Sequence, residues 1–189
     1  MFPIQFRFNE EKATQAAAYL LKKNGNQMKY LGLIKLMYLA DRETLRGMER
    51  PITGDRYVSM KNGPVLSSVK NLITEEDADR EYWGEFISAP ENFTVKLIKD
   101  PGTDELCEFE EEILDQVFEQ YGRMDRFTLA DLTHEICGEW KMPEEDGPGS
   151  TPIPVEEILH EVGKTQEEIQ RISEEVWESN MLKFVLPES

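Results

Sequence analysis

The residues able to do chemistry are few, and their spacing does not suit it. His134-Glu135 offers half of a zinc-protease helix, but a second imidazole one turn along, needed to share a metal, is missing, and the other histidine, His160, is far away in sequence. Cys107 and Cys137 lie thirty positions apart with no CxxC, so neither a disulfide framework nor a cysteine zinc site is supported. Either thiol beside His134 would make a nucleophile and a base, yet nothing local brings them together. The chain has no GxSxG elbow, no Walker phosphate loop and no GxGxxG fingerprint. Paired carboxylates are so frequent that they read as solvated helix faces rather than as an acid and a base. The sequence therefore predicts no catalytic residue, no bound metal and no cofactor, and points to a protein that works by binding.

One segment, 31–64, organises the rest. Its first part, Leu31-Gly32-Leu33-Ile34-Lys35-Leu36-Met37-Tyr38-Leu39-Ala40, is apolar almost all round, which marks a helix buried among other elements. It turns polar at Asp41-Arg42-Glu43 and is expected to stop near Gly47. Arg50-Pro51-Ile52-Thr53-Gly54-Asp55 then reads as a turn into a strand over 56–61, with Tyr57, Ser59 and Lys61 on one face and Val58 and Met60 on the other. Asn62-Gly63-Pro64 closes the strand, with the proline placed to open a helix over 65–73. A lysine and an aspartate in a buried helix must be paired or hydrogen-bonded. Two readings follow. Lys35, Asp41, Asp55 and Lys61 satisfy one another or the turn backbone, or they face a groove that grips a partner.

The order of these residues resembles a known family. Lys35-Leu36-Met37-Tyr38-Leu39-Ala40-Asp41-Arg42, followed by Arg50-Pro51-Ile52-Thr53-Gly54-Asp55-Arg56-Tyr57-Val58-Ser59-Met60-Lys61-Asn62-Gly63-Pro64-Val65, is similar to the signature of the Panacea domain, also called the SocA-like or phage-associated antitoxin domain. A weaker likeness continues through Tyr82-Trp83, the 109–121 segment, Leu132-Thr133-His134-Glu135 and Trp140. The motif positions are Lys35, Tyr38, Asp41, Arg42, Pro51, Gly54, Asp55, Tyr57, Lys61, Gly63 and Pro64. The resemblance implies an antitoxin, which silences a co-encoded toxin by binding it or, in one branch, by delivering it to a protease. Two rivals are a protease adaptor and an acidic decoy that mimics DNA; the basic early part of the chain fits the decoy poorly.

Composition bounds the rest. A chain of 189 residues with 39% apolar residues and three Trp is long and apolar enough for one folded domain, against the pull of a net charge of −17. The charge is uneven: residues 1–73 carry twelve Lys and Arg against six Asp and Glu, and residues 74–189 carry nine against thirty-two. Such a surface favours a partner with basic groups and disfavours nucleic acid. No run approaches the roughly 20 apolar residues of a membrane span, and residues 1–8 lack a signal peptide's apolar stretch, so a cytoplasmic location is expected. The oligomeric state is left open.

The remaining elements follow from pattern. A helix opens at Asn9-Glu10-Glu11 and ends at Lys22-Lys23-Asn24-Gly25; the phenylalanines at 2, 6 and 8 suit either an edge strand or an irregular arm. The acidic run 75–79 reads as a loop. Segments 82–88 and 93–98 read as strands that would join 56–61 in a three-stranded antiparallel sheet. Helices are expected over 105–121, from an N-cap at Thr128 through Ile136, over 155–162, and from Thr165 to about Asn180. The Pro- and Gly-rich stretch 143–154 reads as a linker or as a loop ordered by a partner. The expected fold class is α+β: mostly helical, with a buried central helix and a small antiparallel β-sheet.

Overall fold

A computed structural model describes residues 2–74 and 81–185. Helix α1, Glu10–Lys23, begins where the Asn9 carboxamide oxygen accepts from the Lys12 N–H at 3.0 Å, with Glu10 and Glu11 in its first turn and Lys22 and Lys23 in its last. A tight turn leads into strand β1, Gln27–Lys29, and directly into helix α2, Tyr30–Met48. Every residue from Gly32 to Arg42 is buried, as a helix apolar on all sides must be. It ends where Glu49 turns left-handed at φ 62°.

Strand β2, Tyr57–Met60, turns back through Lys61 and Asn62 into β3, Gly63–Leu66, followed by α3, Ser67–Thr74. Then come α4, Glu81–Phe86, and β4, Thr94–Lys96. Helices α5, Glu108–Tyr121, and α6, Arg126–Ile136, precede β5, Ser150–Ile153, and the chain closes on α7, Val155–Glu161, and α8, Gln166–Val185. Helix α2 is the axis, in contact with α1, α5, α6 and α7. One hydrophobic core runs from Ile4 to Val176 around it. The α+β class with a buried central helix is thus the observed one.

The sheets differ from the expected arrangement. Strand β2 is the centre of an antiparallel sheet in the order β3, β2, β5, with Tyr57 opposite both Leu66 and Ile153. A separate two-stranded sheet pairs β1 with β4, Met28 opposite Val95. Segment 82–88 is not a strand: its first five residues lie in α4, and it meets the second sheet through an Ile87–Leu97 bridge and the Ser88 hydroxyl, which accepts from the Lys96 N–H. Its aromatic composition suggests β, but Trp83 and Ile87, four apart, are both buried, which is helical spacing. Residues 150–153, expected to be irregular, form β5. Its Pro152 and the Pro64 of β3 both sit on edge strands, where a missing N–H does no harm. Pro64 therefore belongs to a strand, and α3 starts three residues later than Pro64 at Ser67.

Smaller corrections concern helix starts. The α6 cap is Asp125, whose carboxylate accepts from the Phe127 and Thr128 N–H groups, not Thr128. Helix α5 starts at Glu108 rather than at 105. Thr165 does cap α8, receiving the Glu168 N–H while Glu168 receives the Thr165 N–H. Residues 2–9 are an irregular arm: Phe2 stacks on Trp177 at 4.5 Å, the Ile4 N–H donates to Glu156, and the Asn9 N–H donates to the Thr53 carbonyl. The acidic run 75–79 lies outside the described residues.

Candidate functional site

The polar residues of α2 fall on successive turns and each finds a partner inside the chain. Lys35 is fully buried, and its ammonium donates to the Pro64 carbonyl at 2.6 Å. Burial pushes its pKa down to about 7. One turn on, the Tyr38 hydroxyl donates to Glu139 at 2.8 Å, and the Arg42 guanidinium donates to both oxygens of the same carboxylate, at 2.8 and 3.3 Å. Glu139 is 2% exposed, so this is a buried ion pair with a third donor completing the carboxylate's needs.

Asp41 holds the next junction. One carboxylate oxygen accepts from the N–H groups of Ile52 and Thr53, both at 3.0 Å; the other accepts from the Thr53 hydroxyl and from the Tyr57 hydroxyl at 3.1 Å. Burial pushes the carboxyl up to about 7, while these four hydrogen bonds favour the ionised form. Asp55 does the same for the sheet and α3, accepting from the N–H groups of Arg56, Ser68 and Val69. The rings of Tyr38 and Tyr57 meet edge to face at 5.8 Å.

Two glycines of the motif are there for close approach. Gly54 has φ 67°, and a Cβ there would collide with the Arg7 carbonyl of the N-terminal arm. Gly63 has φ 95°, and a Cβ there would press on Thr133 and the Lys35 ammonium. Pro51 is buried in the turn. Of the two readings of Lys35, Asp41, Asp55 and Lys61, the geometry matches the first for three residues: backbone groups of the turn and strands receive or supply their hydrogen bonds. Lys61 differs. Alone among the eleven motif positions it is exposed, at the tip of the β2–β3 turn.

Residues outside the motif complete the arrangement. Glu139 has no counterpart in the motif because its partners lie 97 and 101 positions earlier; the signal available was its neighbour Trp140. The Trp140 indole N–H donates to the Met60 carbonyl at 2.9 Å, and its ring stacks on His134 at 3.9 Å. Cys137 is buried and its thiol is pushed up to about 12, chiefly by burial, so it is not a thiolate nucleophile at neutral pH. His134 is held below its usual range by the same effect and by the Lys35 charge.

Lys61 borders a groove of about 340 Å³. Leu31, Ile34 and Val65 lie at its base, and Phe93 and Phe127 form its walls. The Arg126 guanidinium lies 5.0 Å from the Phe93 ring and 4.6 Å from the Phe127 ring. No Asp or Glu among the described residues lines it, whereas the cleft between Glu139, Glu157 and Glu161 is acidic. No group of three or more His, Cys, Asp or Glu among the described residues is placed to hold a metal ion, and no helix among them is long and apolar enough to cross a membrane.

A protein-family comparison matches residues 33–141 to the model described as antitoxin SocA-like, Panacea domain. Neither the curated proteins nor the solved structures return a match.

Proposed function

Because the chain belongs to the SocA-like antitoxin family of the Panacea domain, we propose that it silences a co-encoded toxic protein by binding it directly, without turnover and without degrading it. The observation that carries this reading is the state of the motif's polar groups. Lys35, Tyr38, Asp41, Arg42 and Asp55 are buried and hydrogen-bonded within the chain, so they do not form an open acid–base or nucleophilic set. What the fold turns outward is surface: an apolar groove beside the motif, and the acidic helix faces that follow it. An antitoxin acting by occupancy needs a shaped, rigid surface, and a buried network of charged hydrogen bonds supplies the rigidity.

The test is a titration of the purified toxin with the purified protein, with no ATP and no protease present. Inhibition complete at a fixed ratio near one to one is expected. Inhibition at far smaller amounts of this chain would mean catalysis. Inhibition in cells with none in the purified mixture would mean delivery to a protease, and would replace the direct-binding reading.

A further inference from the structure

The groove beside Lys61 has three properties that do not follow from folding alone. Its walls are large aromatic side chains left in water: Phe93 is 58% exposed and Phe127 is 55% exposed. Its backbone is held in an unfavourable conformation. Asn92 and Phe93 are both left-handed, at φ 49° and 62°, a region that a bulky residue such as phenylalanine rarely adopts. The strain is maintained by hydrogen bonds, since the Phe93 carbonyl accepts from the Tyr30 N–H at 2.9 Å and the Asn92 carbonyl from the Lys29 ammonium at 2.6 Å. Finally, its sign is opposite to that of the molecule: a chain of net charge −17 presents Lys61 and Arg126 here, and no carboxylate among the described residues lines the site.

We propose that this groove is the docking site for an apolar or aromatic side chain of the toxin that has a carboxylate within a residue or two of it. The apolar group seats between Phe93 and Phe127 over Ile34, and the carboxylate meets Lys61 and Arg126. This deepens the direct-binding reading and rests on it. Size, chemistry and rigidity agree. A volume of about 340 Å³ is at the small end of binding pockets and suits a single anchoring side chain rather than a folded element. Aromatic walls and an arginine are the residue types that dominate binding energy at protein interfaces. The walls are carried by α2, the β2–β3 turn, the turn before β4 and the start of α6, so the site is formed before the partner arrives.

The same aromatic and basic residues would suit a nucleobase and its phosphate, but the whole-molecule charge decides against a polyanion. A long nucleic acid strand would extend beyond the groove into the field of a chain of net charge −17, whereas one or two carboxylates of a peptide segment feel mainly the bases within a Debye length of about 8 Å. A toxin that is basic overall is still attracted from a distance, and its acidic anchor is selected at contact.

The test compares the wild-type chain with Phe127→Ala and with the double variant Lys61→Glu/Arg126→Glu, each binding the purified toxin in solution. Lys61 and Phe127 are exposed and Arg126 is half-buried against the Phe93 and Phe127 rings, so the melting temperature of each variant is measured beside its binding and only variants that melt as the wild type does are compared. Phe127→Ala is expected to weaken binding about tenfold or more, mostly through faster dissociation. The double variant should bind more weakly still, and replacing the toxin's anchor-flanking carboxylate by lysine should restore its binding. Wild-type binding with both variants unchanged would overturn the groove as the site while leaving direct binding intact. A wild-type chain that does not bind the purified toxin at all would instead overturn the reading on which the site rests. Two other results would also overturn the proposal: loss of a self-associated form of the free protein in Phe127→Ala, which makes the groove a contact between copies, or loss of RNA binding in the double variant.

Discussion

Asp41 shows how one residue can serve the fold through the groups it keeps paired. Its two oxygens receive four donors from Ile52, Thr53 and Tyr57, so removal of the carboxylate orphans two buried N–H groups and two hydroxyls. Asp41→Ala should therefore cost about 3 kcal/mol or more in a denaturant melt. Asp41→Asn should cost distinctly less, because the carboxamide oxygen keeps the two backbone donors and the hydroxyls can turn to accept from its NH2. If Asp41→Ala melted as the wild type does yet no longer neutralised the toxin, the residue would belong to the binding surface. Lys35 makes a prediction in pH. Its pKa falls from 10.5 to about 7 on folding, so between these values the unfolded chain holds the proton and the folded chain does not. Stability from this group therefore rises with pH above about 7 and is at its lowest below it. Lys35→Met should flatten that rise in melting temperature between pH 7 and 10, whatever it does to the midpoint itself.

At the scale of elements, β5 is the informative case. Its four residues, Ser150-Thr151-Pro152-Ile153, pair two strand formers, Thr151 and Ile153, with a strand-breaking proline, and they follow a run of Pro, Gly and acidic residues. They become a strand because β2 offers an unpaired edge and because Ile153 can be buried opposite Tyr57. Hydrogen exchange should therefore divide the segment, with slow exchange of the amides that bond to β2 and fast exchange over 144–149. Fast exchange throughout 144–154 would show that β5 is not held in solution. Helix α4 makes the complementary point. An aromatic-rich run with local β propensity is drawn into a helix when Trp83 and Ile87 can enter the same side of the core. Both cases are tertiary burial overriding weak local preference.

At the scale of the molecule, charge and contact act at different distances. Residues 74–189 carry thirty-two acidic against nine basic residues, and this field reaches a partner before any side chain does. Added salt should thus slow association with the toxin by tenfold or more while changing dissociation little, as stopped-flow measurements over about 0.05–0.5 M salt would show. An equal effect on both rates would place the charged contacts inside the buried interface instead.

The amino-acid sequence by itself determined the central helix, the net charge of −17 and the motif. A continuous apolar run has one stable place, the interior, and a charge inside such a run must find a partner. The helix caps at Asn9 and Thr165 were equally legible, since a cap is a contact between neighbours in sequence. Tertiary structure alone decided which partner each buried charge takes. Glu139 meets Arg42 across 97 positions, and no local pattern encodes that distance. It also decided the sheet order and the groove, whose walls come from residues near 31, 61, 93 and 126. Each of those segments reads alone as an ordinary helix or turn, and only packing around α2 brings their aromatic and basic groups to one place.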